Sequence, residues 1–199
     1  MRNTRRIAEN EDKEDRHLVN RIASDGDKAA MEQLYNRYQA RIAGFLYRTL
    51  ASQDDIAEIY NETMLVVWRN ALKYHGGSRV STWIFSIAYR LCNNWIRSNS
   101  RFLHLDDTSD EVIDLSPAID LQLSQLEYHQ MLQNAIKTLS FDQRVALELA
   151  YFSGHSYTEI GEITDVSENT VKTRIFYAKR KLKSILKTQE ISGDCQNEK

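Results

Sequence analysis

Apolar and polar positions alternate along most of the chain with the 3.6-residue period of an amphipathic helix. Near the C-terminus, for example, apolar residues recur at spacings of four, three, four and three, at Val171, Ile175, Ala178, Leu182 and Ile185. No segment has the strict period-two alternation of a half-buried strand, and only one proline and seven glycines interrupt the pattern. The pattern therefore predicts an all-α fold.

The segment Ser156–Lys187 is predicted to form two helices joined by a tight turn. Ser156 is followed three residues later by Glu159, which is the spacing of a capping box at a helix start. Gly161 has no Cβ and therefore lets a second helix pack closely, and Ser167 is placed to cap that helix. A short helix, a turn and a capped basic helix are typical of a helix-turn-helix, whose second helix enters the DNA major groove.

The second of these helices carries an excess of positive charge. Between its cap and its end the only acid is Glu168, and the bases are Lys172, Arg174, Lys179, Arg180, Lys181, Lys183 and Lys187. The simpler alternative is a solvated amphipathic helix whose lysines suit the helix dipole. We favour DNA binding because both caps, the tight turn and Gly161 occur together.

Composition divides the helical pattern into two blocks. Between Asp106 and Asp120 there are six acids, no lysine or arginine, and the only proline, which is the composition of a linker. The sequence therefore predicts two helical domains joined by a flexible acidic linker. The predicted segments are a polar N-terminal tail at 1–16, disordered or loosely helical, a first domain at 17–101, the linker at 102–120, a second domain at 121–188 and a polar tail at 189–199.

Capping residues mark where helices are expected to begin inside these domains. In the first domain Asp27 begins one helix, Asp54 begins another that continues to about Lys73, and Ser81 caps the next. Ser140 is a competent cap in the second domain.

The clearest predicted loop, Tyr74–Ser78, lies in the first domain among interleaved aromatic and basic residues. These residues are Trp68, Arg69, Lys73, Tyr74, Arg79, Trp83, Phe85, Tyr89, Arg90, Trp95, Arg97 and Arg101. Aromatic rings can stack on unpaired bases while arginine binds phosphate, so the mixture is typical of single-strand capture. Trp95 lies on the predicted core stripe and Trp83 is compatible with it, so a packing role is the alternative for both. The glycine pair lets the backbone approach a nucleotide closely.

Charge and cysteine content limit the function further. The net charge of −2 is unusual for a DNA-binding protein, so contact with DNA must depend on local basic patches, and weak binding by the free chain is expected. Cys92 and Cys195 are too few for a disulfide framework, which favours a reducing cytoplasm. Cys92 is expected in or near the core. The sequence has neither the pattern of a signal peptide nor a run long enough for a membrane span, so a soluble intracellular protein is expected.

An enzyme is a poorer interpretation of the sequence. There is no glycine-rich phosphate cradle, no nucleophile motif and no metal-ligand spacing among the five histidines. We therefore predict no catalytic residue, no metal site and no cofactor.

Several motifs resemble bacterial RNA polymerase sigma factors of the extracytoplasmic-function (ECF) group of the sigma-70 family. The first domain resembles region 2 of that family, and the second resembles region 4. The segments that carry the resemblance are Asp54–Met64, Val67–Arg69 and Ser81–Ala88 for region 2, and Ser156–Ile163 and Thr170–Arg174 for region 4. They occur in the family's order, and the resemblance covers roughly residues 17–187.

The resemblance implies an alternative sigma factor that binds core polymerase, melts the −10 promoter element and reads the −35 element as duplex. The implied polymerase-binding residues are Asp55, Glu58, Asn61, Glu62, Met64 and Trp68. Those implied for the −10 element are Lys73, Tyr74, His75, Arg79, Trp83, Arg90 and Arg97. Those implied for the −35 element are Ser167, Asn169, Thr170, Lys172, Thr173, Arg174, Phe176 and Lys179.

The resemblance also implies partners: core RNA polymerase, promoter DNA, and an anti-sigma factor that is membrane-linked or metal-binding. The acidic linker would thread toward the RNA exit path. The remaining alternative is a stand-alone helix-turn-helix transcriptional regulator, which would bind a symmetric site tightly without polymerase.

The sequence departs from the family pattern at five places. On the polymerase-facing helix, Asp55–Glu58 replaces an Asp-Ala-Glu-Asp run, and Asn61 replaces a glutamine. Arg90 stands where an asparagine is usual, Ser140 where a proline is expected, and Asp165 where the turn usually has glycine. Aspartate tolerates the left-handed backbone conformation better than most residues do.

Overall fold

The computed structural model describes the backbone of residues 2–50, 55–99 and 134–194, and the side-chain environments of 9–50, 55–99 and 134–186. Within these ranges the chain forms helices and turns without a strand, which confirms the all-α prediction. The predicted acidic linker, the predicted helix start at Asp54, and Cys195 near the C-terminus lie outside the described residues. Along the described chain no helix combines the length and apolar character needed to cross a membrane.

The first block consists of helices α1 to α4 with one 3₁₀ turn. Asp27 caps α2 as predicted, because its carboxylate accepts hydrogen bonds from the amides of Ala29 and Ala30 at 2.9 and 3.0 Å. The elements are α1 (Arg2–Asp25), α2 (Lys28–Thr49), α3 (Ile56–Asn70), the 3₁₀ turn (Ala71–Lys73) and α4 (Val80–Asn99).

The second block, as far as it is described, begins with the last turn of a helix at 134–137. Ser140 forms a capping box with Gln143 at the next helix start, which confirms it as a cap. The helices that follow are α5 (Phe141–Tyr151), α6 (Tyr157–Thr164) and α7 (Glu168–Asp194).

In the N-terminal segment, predicted as a polar tail that is disordered or loosely helical, residues 2–16 form the first part of α1. Polar residues here are paired with the rest of the block. Asp15 is 3% exposed and accepts hydrogen bonds from the hydroxyl of Tyr38 at 2.5 Å and from Arg37 at 2.8 Å. Burial raises the pKa of Asp15, although Tyr38 and Arg37 oppose that shift.

Two helix limits also differ from those predicted. Helix α4 begins at Val80, because the carboxylate of Asp12 on α1 accepts the Val80 amide at 2.8 Å and supplies the cap expected from Ser81. The helix expected to continue to Lys73 ends as α3 at Asn70 and finishes as the 3₁₀ turn. A cap from another helix leaves no signal near Ser81, which explains the error.

Apolar residues from both blocks are buried and meet in one continuous core, whereas Leu182 and Ile185 of the stripe predicted for α7 are only half-buried. Helix α2 packs against α5, and α4 packs against α6. Cys92 is fully buried in this core as predicted, and burial raises the pKa of its thiol to about 12. The second block contributes Val145, Leu149, Ile160, Ile163, Val171 and Ile175.

Candidate nucleic-acid interface

Helices α6 and α7 form the predicted helix-turn-helix. The Ser156 hydroxyl accepts the Glu159 amide at 3.3 Å while the Glu159 carboxylate accepts the Ser156 amide at 2.8 Å, which confirms the capping box. Asp165 has φ = 55° and ψ = 47°, the left-handed conformation expected at the turn. A Cβ added at Gly161 would lie 2.7 Å from the carbonyl oxygen of Val166, so only glycine permits this tight turn.

Helix α7 separates a buried face from an exposed one. Ser167 caps its start by accepting the Thr170 amide at 3.2 Å, and Val171, Ile175 and Ala178 are buried as the spacing predicted. The opposite face is in solvent and includes Phe176, which is 61% exposed. The other exposed residues there that were predicted to bind DNA are Asn169, Lys172, Thr173 and Lys179.

Some residues predicted to contact the −35 element already have partners within the chain. Arg174 forms an ion pair with Asp142 at 2.6 Å, and the ammonium of Lys179 lies 4.6 Å from the centre of the Tyr151 ring. The hydroxyls of Ser167 and Thr170 lie 2.9 Å apart at the start of α7. These two hydroxyls take part in capping the helix.

The glycine loop, residues 74–79, connects the 3₁₀ turn to α4 and has a defined internal structure. Gly76 has φ = 79°, which favours glycine, and the Tyr74 hydroxyl donates to the Ser78 carbonyl at 2.7 Å. The ring of Tyr74 lies 5.0 Å from that of Trp83. Both rings are half-buried, so they support the loop as well as lining its edge.

Basic side chains predicted to bind the −10 element lie at this loop and along α4. Lys73 and His75 are exposed beside it, and Arg90 and Arg97 are exposed along α4. Arg79 is half-buried and forms an ion pair at 3.3 Å with Glu159 of the second block.

Two residues of α1 contact the same loop and were not predicted as functional residues. The guanidinium of Arg16 donates to the carbonyl oxygens of Gly76 at 3.1 Å and Ser78 at 3.0 Å, and Asp12 caps α4. The four-residue spacing of Asp12 and Arg16 could have indicated an ion pair, but the sequence offers no signal for its partner loop.

The outer face of α3 is the predicted polymerase-binding surface. Glu58, Asn61 and Glu62 are exposed, as a docking surface requires, and Asp55 is half-buried. Asn61 accepts a hydrogen bond from the Tyr35 hydroxyl at 2.8 Å.

The predicted role of Met64 as a polymerase contact needs correction. Met64 is 2% exposed and cannot act as a surface anchor in this structure. Helical spacing places it with Tyr60 and Val67 on the core stripe, whereas the neighbouring Leu65 is 39% exposed. Trp68 is half-buried and packs against the core.

An ion pair between a half-buried arginine and a buried glutamate joins the two blocks. Arg48 of α2 donates two hydrogen bonds to the carboxylate of Glu148 in α5, the one from Nη2 measuring 2.8 Å. Glu148 is 2% exposed and also accepts the Ser153 hydroxyl at 3.2 Å. The Arg48 guanidinium lies 4.7 Å from the centre of the Phe152 ring.

A second contact between the blocks involves Glu159, which lies within 3.3 Å of Arg79 and 3.4 Å of the Thr82 hydroxyl. Next to it, the ring of His155 is 4.7 Å from that of Phe85 and is 5% exposed. Burial lowers the pKa of His155 to about 4, with smaller contributions in the same direction from nearby arginines. Arg79, which was predicted to bind the −10 element, therefore contacts the second block through Glu159.

Comparison with known families matches both blocks. The profile described as "Sigma-70 region 2" matches residues 34–102, and the one described as "Sigma-70, region 4" matches residues 129–182. An "ECF RNA polymerase sigma-E factor" of Haemophilus influenzae is 30% identical over 181 residues, which is 85% of this chain and 94% of that protein. The protein of the same description from Escherichia coli is 29% identical over 175 residues, covering 83% of this chain and 90% of that protein.

Two solved structures share the fold. CnrH, in complex with the cytosolic domain of CnrY, has a TM-score of 0.64 and 20% identity, and the match covers 88% of this chain and 98% of that chain. The sigma factor RpoE of Bartonella quintana, in complex with the anti-sigma factor NepR, has a TM-score of 0.63 and 24% identity, and the match covers 78% and 96%.

Proposed function

The chain belongs to the ECF group of RNA polymerase sigma factors, and we propose that it divides promoter recognition between its glycine loop and helix α7. As an alternative sigma factor it binds core RNA polymerase and promoter DNA and directs the initiation of transcription. The matched regions support the two domains proposed at 17–101 and 121–188, the first extended by α1. The proposal assigns no catalytic residue to the chain and places its activity in the cytoplasm with the polymerase.

Helix α7 is proposed to read the −35 element as duplex. Lys172, Thr173 and Phe176 lie on its solvent face near the N-terminal end, which is the end that a recognition helix inserts into the major groove. Arg174 and Lys179 are proposed to bind phosphates, which requires Arg174 to exchange Asp142 for DNA.

The glycine loop and α4 are proposed to hold the unpaired strand of the −10 element. Lys73 and His75 at the loop, and Arg90 and Arg97 along α4, are the exposed basic residues proposed to contact this strand. Arg79 joins them when it leaves Glu159, so promoter engagement competes with the contact between the blocks.

The exposed face of α3 is proposed to dock on core polymerase. Glu58, Asn61 and Glu62 provide polar and acidic contacts, and Leu65 provides the exposed apolar contact that the buried Met64 cannot. Charge at the rim of such an interface governs partner choice more than affinity.

An anti-sigma factor is proposed as a further partner. Two proteins with the same fold are described in complexes, one with an anti-sigma factor and one with a separate cytosolic domain. Apolar side chains in solvent on both blocks favour a covering partner in the free protein, and they include Tyr47, Leu72, Tyr151, Phe152, Phe176 and Tyr177.

The observation that carries the proposal is the helix-turn-helix with its left-handed turn at Asp165 and exposed basic face, following a complete region 2 block in one chain. The test is run-off transcription by the full chain with purified core polymerase on a pool of promoters with randomised −10 and −35 elements. Polymerase-dependent transcripts from a selected sequence class are expected.

Charge-reversal variants of α3 sharpen this test. Glu58→Lys with Glu62→Lys is expected to abolish transcription by preventing polymerase binding, whereas Glu32→Lys, an exposed acid on α2, serves as the matched control. Tight binding of the free chain to a palindromic site, without polymerase-dependent transcripts, would support the stand-alone regulator and overturn the proposal.

A further inference from the structure

The N-terminal helix α1 contacts two backbone carbonyls of the glycine loop and the backbone amide that follows it at the start of α4. The guanidinium of Arg16 donates to the carbonyl oxygens of Gly76 at 3.1 Å and Ser78 at 3.0 Å. The same side chain donates to the carboxylate of Asp12 at 2.7 Å, and the other oxygen of that carboxylate accepts the Val80 amide at 2.8 Å. One ion pair thus connects the middle of the loop to the first residue of α4.

The geometry of these contacts is specific for arginine. A guanidinium is a rigid planar fork whose separate N–H groups can reach two carbonyls and a carboxylate at once, whereas a lysine ammonium is a single charged point. The Arg16 guanidinium also lies 5.8 Å from the centre of the Tyr74 ring, whose hydroxyl donates to the Ser78 carbonyl. Arg16 and Tyr74 therefore bind the same carbonyl from two sides.

Gly76 is fitted to this arrangement. It has φ = 79°, and a Cβ added there would lie 2.7 Å from a guanidinium nitrogen of Arg16. The loop therefore needs glycine both for its backbone conformation and for the close approach of Arg16.

We propose that Asp12 and Arg16 are positioning residues for −10 recognition, holding the glycine loop in the shape that receives the unpaired strand. This inference rests on the proposed function of the loop. A loop has no hydrogen-bond ladder of its own, so an unsupported loop must be ordered when DNA binds, and that ordering weakens binding. The side of the loop with Lys73 and His75 stays in solvent, so the support from α1 leaves the DNA-facing side accessible.

The first test measures promoter opening by holoenzyme made from core polymerase and the full chain. The probes are a duplex promoter selected by the unsubstituted holoenzyme from a randomised pool, and the same DNA with a mismatched bubble across its −10 element. Arg16→Ala is expected to slow opening of the duplex about tenfold or more, since it removes charge-assisted hydrogen bonds to two carbonyls. The bubble should restore most of the activity, because melting is then already complete.

Conservative variants and a matched control distinguish positioning from general stability. Arg16→Lys should resemble Arg16→Ala, since it keeps the charge and loses the fork. The control is Arg21→Ala, because Arg21 lies on the same helix, has the same 36% side-chain exposure and pairs with a helix-capping aspartate away from the loop. Its opening rate is expected to stay within about twofold of the unsubstituted chain, as for an ordinary surface ion pair.

A double variant tests whether Arg16 acts through the loop itself. Gly76→Ala should slow opening less when Arg16 is already alanine, because the clash with the guanidinium is then absent and the two effects are not additive. Gly26→Ala is the matched control, since Gly26 also has a positive φ of 60° and a Cβ there would meet nothing within 4 Å. Its effect should add to that of Arg16→Ala.

The outcomes separate this inference from the proposed function. If Gly76→Ala slows opening of the duplex but Arg16→Ala behaves like Arg21→Ala, the inference fails and the proposed function survives. If neither Gly76→Ala nor Arg16→Ala affects opening, the proposed function of the loop fails as well. If Arg16→Ala is impaired equally on duplex and bubble, with a lower unfolding temperature, the residue is merely structural and the inference is overturned.

Discussion

The glycine loop is held by contacts from α1 and α4, whereas the side of α7 that we propose to bind DNA projects into solvent. The loop has Arg16 on two of its carbonyls and Tyr74 packed on Trp83, while Phe176 on α7 is 61% exposed. A helix maintains its shape through its own backbone hydrogen bonds, so α7 needs support only on its buried face. The glycine loop, which we propose accepts unpaired bases, obtains its shape from neighbouring elements. Duplex reading and strand capture thus place different demands on the surrounding structure.

The largest expected effect comes from breaking the Arg48–Glu148 ion pair, one of the contacts between the two blocks. Glu148→Gln leaves the Arg48 guanidinium, whose side chain is 29% exposed, without its charged partner. It should lower the free energy of unfolding by about 2 to 3 kcal/mol, because hydrogen bonds to a charged group are lost. Denaturant unfolding measures the loss, and small-angle X-ray scattering should record a larger radius of gyration as the blocks separate.

A neutral pair and a surface acid provide the controls for this variant. Arg48→Gln combined with Glu148→Gln should recover part of the loss, since no unpaired charge remains. Glu162→Gln, an exposed acid on α6, should change stability by less than about 0.5 kcal/mol. A loss for Glu148→Gln no greater than that of Glu162→Gln would show that the ion pair does not hold the blocks together.

A smaller effect should separate base reading from phosphate binding on α7. Phe176→Ala or Lys172→Ala should reduce discrimination at the −35 element by about 1–3 kcal/mol for each base-edge interaction that the substitution removes. Lys179→Ala should instead weaken binding to all sequences alike and flatten its salt dependence. Holoenzyme binding to matched and mismatched −35 duplexes, across a salt series, measures both quantities.

A promoter with a premelted −10 bubble then tests whether the glycine loop and α7 have separate roles. A −10 bubble should rescue variants of the glycine loop and leave the Lys172→Ala defect unchanged, because duplex reading does not depend on strand opening. Equal rescue of both classes of variant, or of neither, would contradict the division of labour between loop and helix.

The smallest expected effect is a pH dependence at the contact between the blocks. The pKa of His155 is about 4 in the folded chain, against an ordinary value of 6.5, so the unfolded chain binds the proton more readily. Stability is therefore fully present above about pH 6.5 and declines as the pH falls toward about 4. Between about pH 8 and about pH 6 the free energy of unfolding should fall by a little under 1 kcal/mol.

The charged neighbour Glu159 does not contribute to the pH dependence of stability between about pH 8 and about pH 6. Glu159 faces His155, and its pKa lies below its ordinary value, so it titrates only at lower pH. His155→Gln should remove most of the dependence above about pH 5, whereas His75→Gln, at an exposed loop position, should not. Identical pH profiles for the two variants would exclude His155 as the source.

Local sequence signals predicted the helix-turn-helix well, because its determinants are a few residues apart. The capping box of Ser156, the close approach at Gly161 and the left-handed Asp165 all act within one turn and appear in the structure as expected. The core stripes of α2 and α7 follow from helical period in the same way.

Long-range partners could not be predicted in this manner. Asp12 and Arg16 are separated from the loop by about sixty residues, and a charged N-terminal segment has the composition of a tail. The Arg48–Glu148 pair spans 100 positions, and its two residues look like ordinary surface charges. Met64 was misassigned for a related reason, because a family role was transferred to a position that helical period places in the core.

The burial of Cys92 has a practical consequence for thiol chemistry. With a pKa of about 12 and a fully buried sulfur, this thiol stays protonated and protected from electrophiles while the first block is folded. Its sulfur lies 3.9 Å from the Thr49 hydroxyl at the end of α2, close to where the second block packs. In a chain whose Cys195 is replaced by serine, the rate at which Cys92 is alkylated measures how often the core opens locally. Oxidants that act on thiolates would leave this position unmodified for as long as the core stays closed.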